Sequence, residues 1–298
     1  ELADEFLSRG KLIVYTEGEK QKRQEALSTY AGSFEDGRLV ILVDEASASA
    51  SEILSGAIQD WDRGIIIGRR TFGKGLVQRP IPLPDGSMIR LTVARYYTPT
   101  GRCIQKPYEK GKGEEYAHDL MSRYKHGELM SADSIHFPDS LKFQTLEKAR
   151  TVYGGGGIMP DVFVPIDTTY NSEYHRSLIS NGLVNRVAMN YLDQHREELN
   201  KRYKKVHTYK ERFVVPESVM NDLRIMADNK KIAFKEEEYN RSLPLIRLQI
   251  KALIARDLFD TTSYFYIIND VNQTYQEALR LINDEIKYDE ILDKPNNF

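Results

Sequence analysis

Two stretches of this chain hold residues that can do chemistry: "VDEASASASEIL", Val43 to Leu54, and "GRRTFGKG", Gly68 to Gly75. The second nearly matches the phosphate-binding pattern G-x-x-x-x-G-K-[ST], but Gly75 stands where a hydroxyl must reach magnesium. That pattern also needs a helix N-terminus after the lysine, whose amides cradle the phosphates. The residues after Lys74 are "GLVQRPIPLP", whose prolines exclude such a helix, so Lys74 is not assigned to a phosphate. The first stretch sets Ser47, Ser49 and Ser51 at a strand-to-helix turn. A serine there can cap the helix. It can also act as a nucleophile whose oxyanion faces helix-start amides and the positive end of the dipole. On this stretch alone both readings stay open. A serine nucleophile needs a base, and a neutral lysine amine can replace histidine in that role. Because a free lysine titrates near ~10.4, the amine must lose water to be neutral at pH 7. Phe72 and the glycines beside Lys74 predict a buried stem, with no competing carboxylate in the loop.

Other candidates carry less. Ser122-x-x-Lys125 fits the S-x-x-K of penicillin-recognising enzymes, but neither S-D-N nor K-T-G accompanies it. The six histidines (His118, His126, His136, His175, His195, His207) lie outside the strand–turn constellation and read as surface or polar-network residues. With one cysteine, Cys103, and no H-x-x-x-H or C-x-x-C spacing, neither a disulfide nor a metal site is expected, and no cofactor motif is read. Lys201, Arg202, Lys204, Lys205, Lys210 and Arg212 form a local basic cluster, whose plain reading is a solvated helix face or loop.

The elements that must position the serines and the lysine are legible from period and turn chemistry. "KLIVYTEG" reads as a strand, and "QKRQEALSTYAGSFEDGR" as a polar connection. "LVILVD", Leu39 to Asp44, is an apolar run expected to be a strand buried on both faces. A helix follows with Ile53, Ala57 and Trp61 on its apolar face, and "IIIG" is a second buried strand. The unit predicts a parallel pair with a right-handed crossover, which puts the serine turn and the lysine loop at adjacent strand ends. "LVQRPIPLPDGSMIRLTVARYYT" reads as a β-hairpin around Pro84-Asp85-Gly86-Ser87. Residues 106–150 look like a charged surface excursion, and "YGGGGIMPDVFVP" returns to strand character. Beyond about residue 170 the period turns helical, with core stripes at Leu183/Val187/Tyr191, Ile246/Ile250/Leu253/Ile254/Leu258 and Leu279/Ile282/Ile286.

The 298 residues, 41% hydrophobic and 29% charged, suit one large or two ordinary globular domains. A net charge of −2 argues against a general nucleic-acid binder, and no apolar run approaches the ~20 residues of a membrane span. The chain starts at Glu1 without an initiator methionine or signal-like segment, and is expected to be a fragment or processed form.

"SASASE" followed by "TFGKGLVQ" resembles the carboxyl-terminal processing peptidases, also called tail-specific proteases; the likeness continues through "VARYYTPTGRCIQKP" and "GGGGIMPDVFVP" and covers roughly residues 1–166. The resemblance implies an α/β crotonase-like (ClpP-like) catalytic core at 1–166; the helical period beyond it makes 167–298 a mainly helical region. It implies a serine endopeptidase with Ser49 as nucleophile, Lys74, 25 residues on, as base, and Gln78 orienting the lysine. It further implies an acyl-enzyme mechanism, in which the Ala50 amide binds the oxyanion and Lys74 serves the leaving amine and the hydrolytic water. The family also keeps an aspartate at Asp60; eleven residues along a helix is about 16 Å, so Asp60 cannot touch the Ser49 hydroxyl and is read as structural support. Ala46 stands where relatives often carry glycine. The family's upstream PDZ domain and Gly-Gly strand turn do not occur in these residues, leaving Ala50 as the one oxyanion donor to name, so impaired cleavage is expected of this piece alone. Polypeptides bound through their carboxyl-terminal regions are the implied substrates, and a bacterial envelope, with the periplasm as its compartment, is the implied address. The helical region could serve oligomer assembly. The alternative function is a peptide-binding or scaffold protein that keeps the fold without the activity.

Overall fold

A computed structural model describes residues 1–29, 32–108 and 113–293. Tertiary contacts divide the chain into two units: Glu1–Ile166 together with the segment from Glu277 onward, and Asp167–Gln276.

The first unit opens with a short 3-10 turn, Leu2–Glu5, then β1 (Leu12–Gly18) and β2 (Gln21–Leu27). The polar connection expected at 21–38 therefore contains a strand. β2 is an outer strand of its sheet and nearly all its side chains are exposed, so it shows no apolar alternation to read. β3 (Val40–Val43), α1 (Ala50–Asp60) and β4 (Ile65–Gly68) form the crossover unit, with β3 and β4 parallel. β5 (Leu76–Pro82) and β6 (Met88–Tyr97) are the expected hairpin, and the antiparallel sheet runs β2-β1-β6-β5. α2 (Gly113–Lys125) and β7 (Lys142–Gln144) lie within the stretch read as a surface excursion. That stretch is not wholly superficial: Arg123, Leu129 and Ile135 are buried. β8 (Thr151–Tyr153) pairs with β7, and β9 (Val162–Phe163) adds to the parallel sheet, which runs β3-β4-β9.

β4 is the central strand, and every residue of it is buried. β3 is an outer strand, and Leu42 is 41% exposed, so burial on both faces holds for β4 and not for β3. Ile66 packs with Ala57 and Ile58 of α1, while Ile65 and Ile67 pack with Ala278, Leu281 and Tyr288.

The helices of the second unit are α3 (Glu173–Ser180), α4 (Leu183–Arg202), α5 (Val206–Arg212), α6 (Glu217–Asn229), α7 (Glu236–Leu258) and α8 (Thr261–Ile268). Their core is one apolar cluster that includes Leu183, Val187, Ile246, Ile250 and Ile254. α9 (Gln273–Asn283) and α10 (Glu285–Asp293) complete the described chain. The stripe expected at Leu279/Ile282/Ile286 is not core, since Leu279 is 39% and Ile286 76% exposed. The two helices are separate, and the buried set is Ala278, Leu281 and Tyr288. The Tyr288 hydroxyl donates to Leu39 O at 2.9 Å, fixing the approach to β3.

Candidate functional site

The three serines differ in what holds them. Ser47 belongs to the turn after β3: its amide donates to Asp44 O at 3.0 Å, and its hydroxyl accepts from Asp44 N–H at 3.0 Å. Ser51 lies inside the first turn of α1. Ser49 is the N-cap of α1, with φ 59° and ψ −115°. A cap is ordinarily extended. Positive φ on a residue with a Cβ costs energy, and such strain collects at functional sites. The position thus agrees with the capping reading, while the backbone exceeds what a cap requires. Ala50 is the first residue of α1, so its N–H is among those a helix leaves without an intrahelical acceptor, next to the positive end of the dipole.

The lysine loop is tied down amide by amide. Thr71 N–H donates to Ile158 O at 3.1 Å and Phe72 N–H to Ser47 O at 2.9 Å. Gly73 N–H donates to the Glu52 carboxylate at 2.6 Å, Lys74 N–H to the same carboxylate at 2.8 Å, and Gly75 N–H to Gln105 Oε1 at 2.9 Å. The glycines flanking Lys74 are required by close approach. Gly73 has φ +84°, and a Cβ on Gly75 would stand 2.6 Å from the Gln105 nitrogen. From behind, Arg123 of α2 donates to Thr71 O at 3.1 Å and Arg70 O at 2.6 Å. Burial, and then the neighbouring Arg70 charge, push the Arg123 pKa below its ordinary value.

Glu52 joins the two halves of the site. It is fully buried, yet its Oε2 accepts from Ser49 N–H at 2.9 Å and from Lys74 N–H at 2.8 Å. Its Oε1 accepts from the Thr71 hydroxyl at 2.5 Å and from Gly73 N–H. One carboxylate therefore fixes the backbone of the strained serine and of the lysine together. Hydrogen bonds to a carboxylate are among the strong ones, and Glu52 accepts four. Sequence reasoning did not single out Glu52; the capping-box spacing Ser49-x-x-Glu52 was the signal that could have found it.

Ser49, Ala50, Lys74 and Gln78 are all exposed. The buried lysine stem expected from the sequence is not what the structure has. The burial falls on Thr71, Gly73 and Gly75, while Lys74 emerges between the two glycines. Phe72, half-buried, instead carries the Lys106 ammonium 4.1 Å over its ring, and Asp119 pairs with that amine at 3.0 Å. Gln78 lies on β5 at a register shift between Val77 and Gln78, a bulge that re-aims the strand's side chains.

Asp60 sits at the other end of α1. Its carboxylate accepts from Thr100 N–H at 2.9 Å and the Thr100 hydroxyl at 2.8 Å, and it pairs with Arg102. Beside it, Arg150 bonds Asp62 and Asp161, each at 2.7 Å, and all of these side chains are buried. Burial acts to discharge Arg150, and the two aspartates outweigh it, raising its pKa above the ordinary guanidinium value. Asp60 is thus part of the scaffold under α1. Ser122 bonds His126 at 3.2 Å, and both residues are exposed. Among the described residues, no group of His, Cys, Asp and Glu could hold a metal ion, and no helix is long and apolar enough to cross a membrane.

The model of peptidase family S41 matches residues 1–111, and a family of unknown function, DUF8443, matches residues 174–260. A carboxy-terminal-processing protease of Bartonella bacilliformis is 46% identical over 105 residues, 35% of this chain and 24% of that protein. A chloroplastic C-terminal processing peptidase of Tetradesmus obliquus is 57% identical over 68 residues, 23% of this chain and 15% of that protein. The chain thus spans a quarter or less of the length of these relatives. Among solved structures, a photosystem II D1 C-terminal processing protease aligns with TM-score 0.38 and 28% identity, covering 56% of this chain and 31% of that one.

Proposed function

We propose that this chain, with a peptidase S41 domain over residues 1–111 and carboxyl-terminal-processing proteases as its relatives, is the catalytic part of a serine endopeptidase that cuts polypeptides near their carboxyl termini. The reading takes the α/β unit as a crotonase-like core and the pair Ser49/Lys74 as its dyad. The observation that carries it is the single buried carboxylate of Glu52 bonded to the backbone of both residues. An arrangement that ties the backbone of two exposed residues to one buried carboxylate, through strained and glycine-flanked backbone, is costly for a scaffold and useful to a catalyst.

In the proposed reaction the uncharged Lys74 amine takes the Ser49 hydroxyl proton as the oxygen attacks a peptide carbonyl. The Ala50 amide receives the oxyanion. Lys74 then protonates the departing amine, leaving an acyl-serine, and activates the water that releases the acid. Gln78 orients the amine. A substrate lying over the exposed loop excludes water from Lys74, which favours its uncharged form. The polypeptide substrate and a bacterial cell-envelope address are carried over from the relatives as part of this proposal.

The test uses full-length enzyme and a serine-reactive phosphonate. The probe should label Ser49, and Lys74→Ala should lower both labelling and peptide cleavage by roughly a thousandfold or more with the fold unchanged. Undiminished turnover in Lys74→Ala ends the dyad proposal. No labelling of the full-length protein at all favours a peptide-binding scaffold instead.

A further inference from the structure

The basic run between α4 and α5 takes no part in the site above. From Lys201 to Arg212 the sequence is "KRYKKVHTYKER", with six cations against the single acid Glu211, in a chain whose net charge is −2. Lys201, Arg202, Lys204, Lys205 and Arg212 are exposed, and none has an ion pair among the described residues. The acidic groups nearby are few. Glu211 lies 3.1 Å from His207, Asp270 pairs with Lys210 at 2.7 Å, and Glu197 and Glu198 stand one turn before Lys201 and Arg202 on α4.

α8 brings Tyr266 to the same place. His207 bonds the Tyr266 hydroxyl at 3.1 Å, and the Lys210 ammonium lies 4.3 Å over the Tyr266 ring. Tyr266 is 42% and its neighbour Phe265 52% exposed. Behind them the Lys251 amine donates to Lys210 O at 2.6 Å, and burial, then the Lys210 charge, lowers its pKa. Cations are thus crowded here beyond what the local acids neutralise.

We propose that the surface built by Lys201, Arg202, Lys204, Lys205 and Lys210 with Phe265 and Tyr266 docks the helical unit on an anionic lipid membrane. Lysine and arginine side chains are drawn to anionic headgroups, while tyrosine and phenylalanine settle at the boundary of headgroup and acyl chain. Single-stranded nucleic acid, the other polyanion that cations and aromatics suit, needs a groove that tracks its backbone. A cavity of this unit, lined by residues such as Tyr170, His175, Ile179 and Leu245, does not include any of these basic residues.

The experiment is flotation of the whole chain with vesicles of phosphatidylglycerol mixed into phosphatidylcholine, and with vesicles of phosphatidylcholine alone. The chain should float with the anionic vesicles, and added salt should release it. Lys204→Glu/Lys205→Glu should weaken binding on the order of a hundredfold. Phe265→Ser/Tyr266→Ser should weaken it several-fold. Lys20→Glu/Lys22→Glu, the same charge change at the exposed start of strand β2, should leave it in place, with circular dichroism showing all variants folded. The proposal is overturned by no binding to anionic vesicles, by equal binding to both vesicles, or by an equal loss in the β2 variant. It is overturned as well if a single-stranded oligonucleotide strips the protein from vesicles at a lower concentration than lipid is needed to bind it.

Discussion

In the α/β unit Glu52, Asp60, Asp62, Arg102, Lys106, Arg123, Arg150 and Asp161 all lie buried. In the helical unit the buried polar residues among those described are Ser172, His175, Ser242 and Ser263, set in a large apolar cluster. Burying charge is costly and is offset only by close partners, so an apolar core of the same volume is often at least as stable. The helical unit takes that apolar course. The α/β unit does not, and its buried charges lie at both ends of α1, the helix that begins at the strained Ser49. Placement of backbone, more than stability, is what those charges supply.

The contrast can be broken by removing the central member of each core. Arg150→Met leaves Asp62 and Asp161 buried without their cation, and should cost about 3–5 kcal/mol. Ile250→Ala, in the helical cluster, should cost about 2–5 kcal/mol through lost burial and a cavity. Trp61 is the only tryptophan and belongs to the α/β unit, so its fluorescence reports that unit in a denaturant titration. Arg150→Met should move the Trp61 transition, whereas Ile250→Ala should move chiefly the far-ultraviolet signal. Identical shifts of both signals in both variants would show one cooperative core, and the contrast would fail.

Glu52→Gln sharpens the same comparison at the serine end of α1. All four groups facing the Glu52 side chain are donors, and a glutamine must turn its own NH2 toward some of them. A stability loss of about 2–3 kcal/mol is expected, smaller than for Arg150→Met. Phosphonate labelling of Ser49 in full-length enzyme should fall on the order of a hundredfold, because the serine and the lysine lose their common anchor. Labelling at the parental rate would mean that the two segments hold their places without it.

How much of this was readable from sequence depends on the range of each signal. The parallel β3–α1–β4 unit and the β5–β6 hairpin were legible because apolar runs and turn residues are local. Ser49, Lys74, Gln78 and Ala50 were named through the motifs that carry them, and their roles belong to the proposal. β2 was not, since an exposed outer strand has no apolar face to alternate. The Leu279/Ile282/Ile286 stripe misled because α9 and α10 are two helices, and a period counted across both belongs to neither. Lys74 was expected to be buried from its neighbours' types, but glycines bring backbone close without covering the side chain between them. Glu52 escaped because its four donors come from segments 19 to 22 residues apart in sequence as well as from its own turn.

The smallest expected effect tests whether Ser49 holds strain. A non-glycine residue at φ 59° and ψ −115° costs roughly 1–3 kcal/mol, and glycine removes that cost while giving back about 0.5–1 kcal/mol in unfolded-chain entropy. Ser49→Gly should therefore be more stable than Ser49→Ala by about 1 kcal/mol, although neither can form an acyl-enzyme and both lose the hydroxyl alike. Alanine keeps the Cβ and with it the strained backbone, so the pair isolates conformation from chemistry. A Ser49→Gly protein no more stable than Ser49→Ala would mean that the turn accepts a side chain without penalty. The serine end of α1 would then be an ordinary helix start, built no differently from the caps of the helical unit.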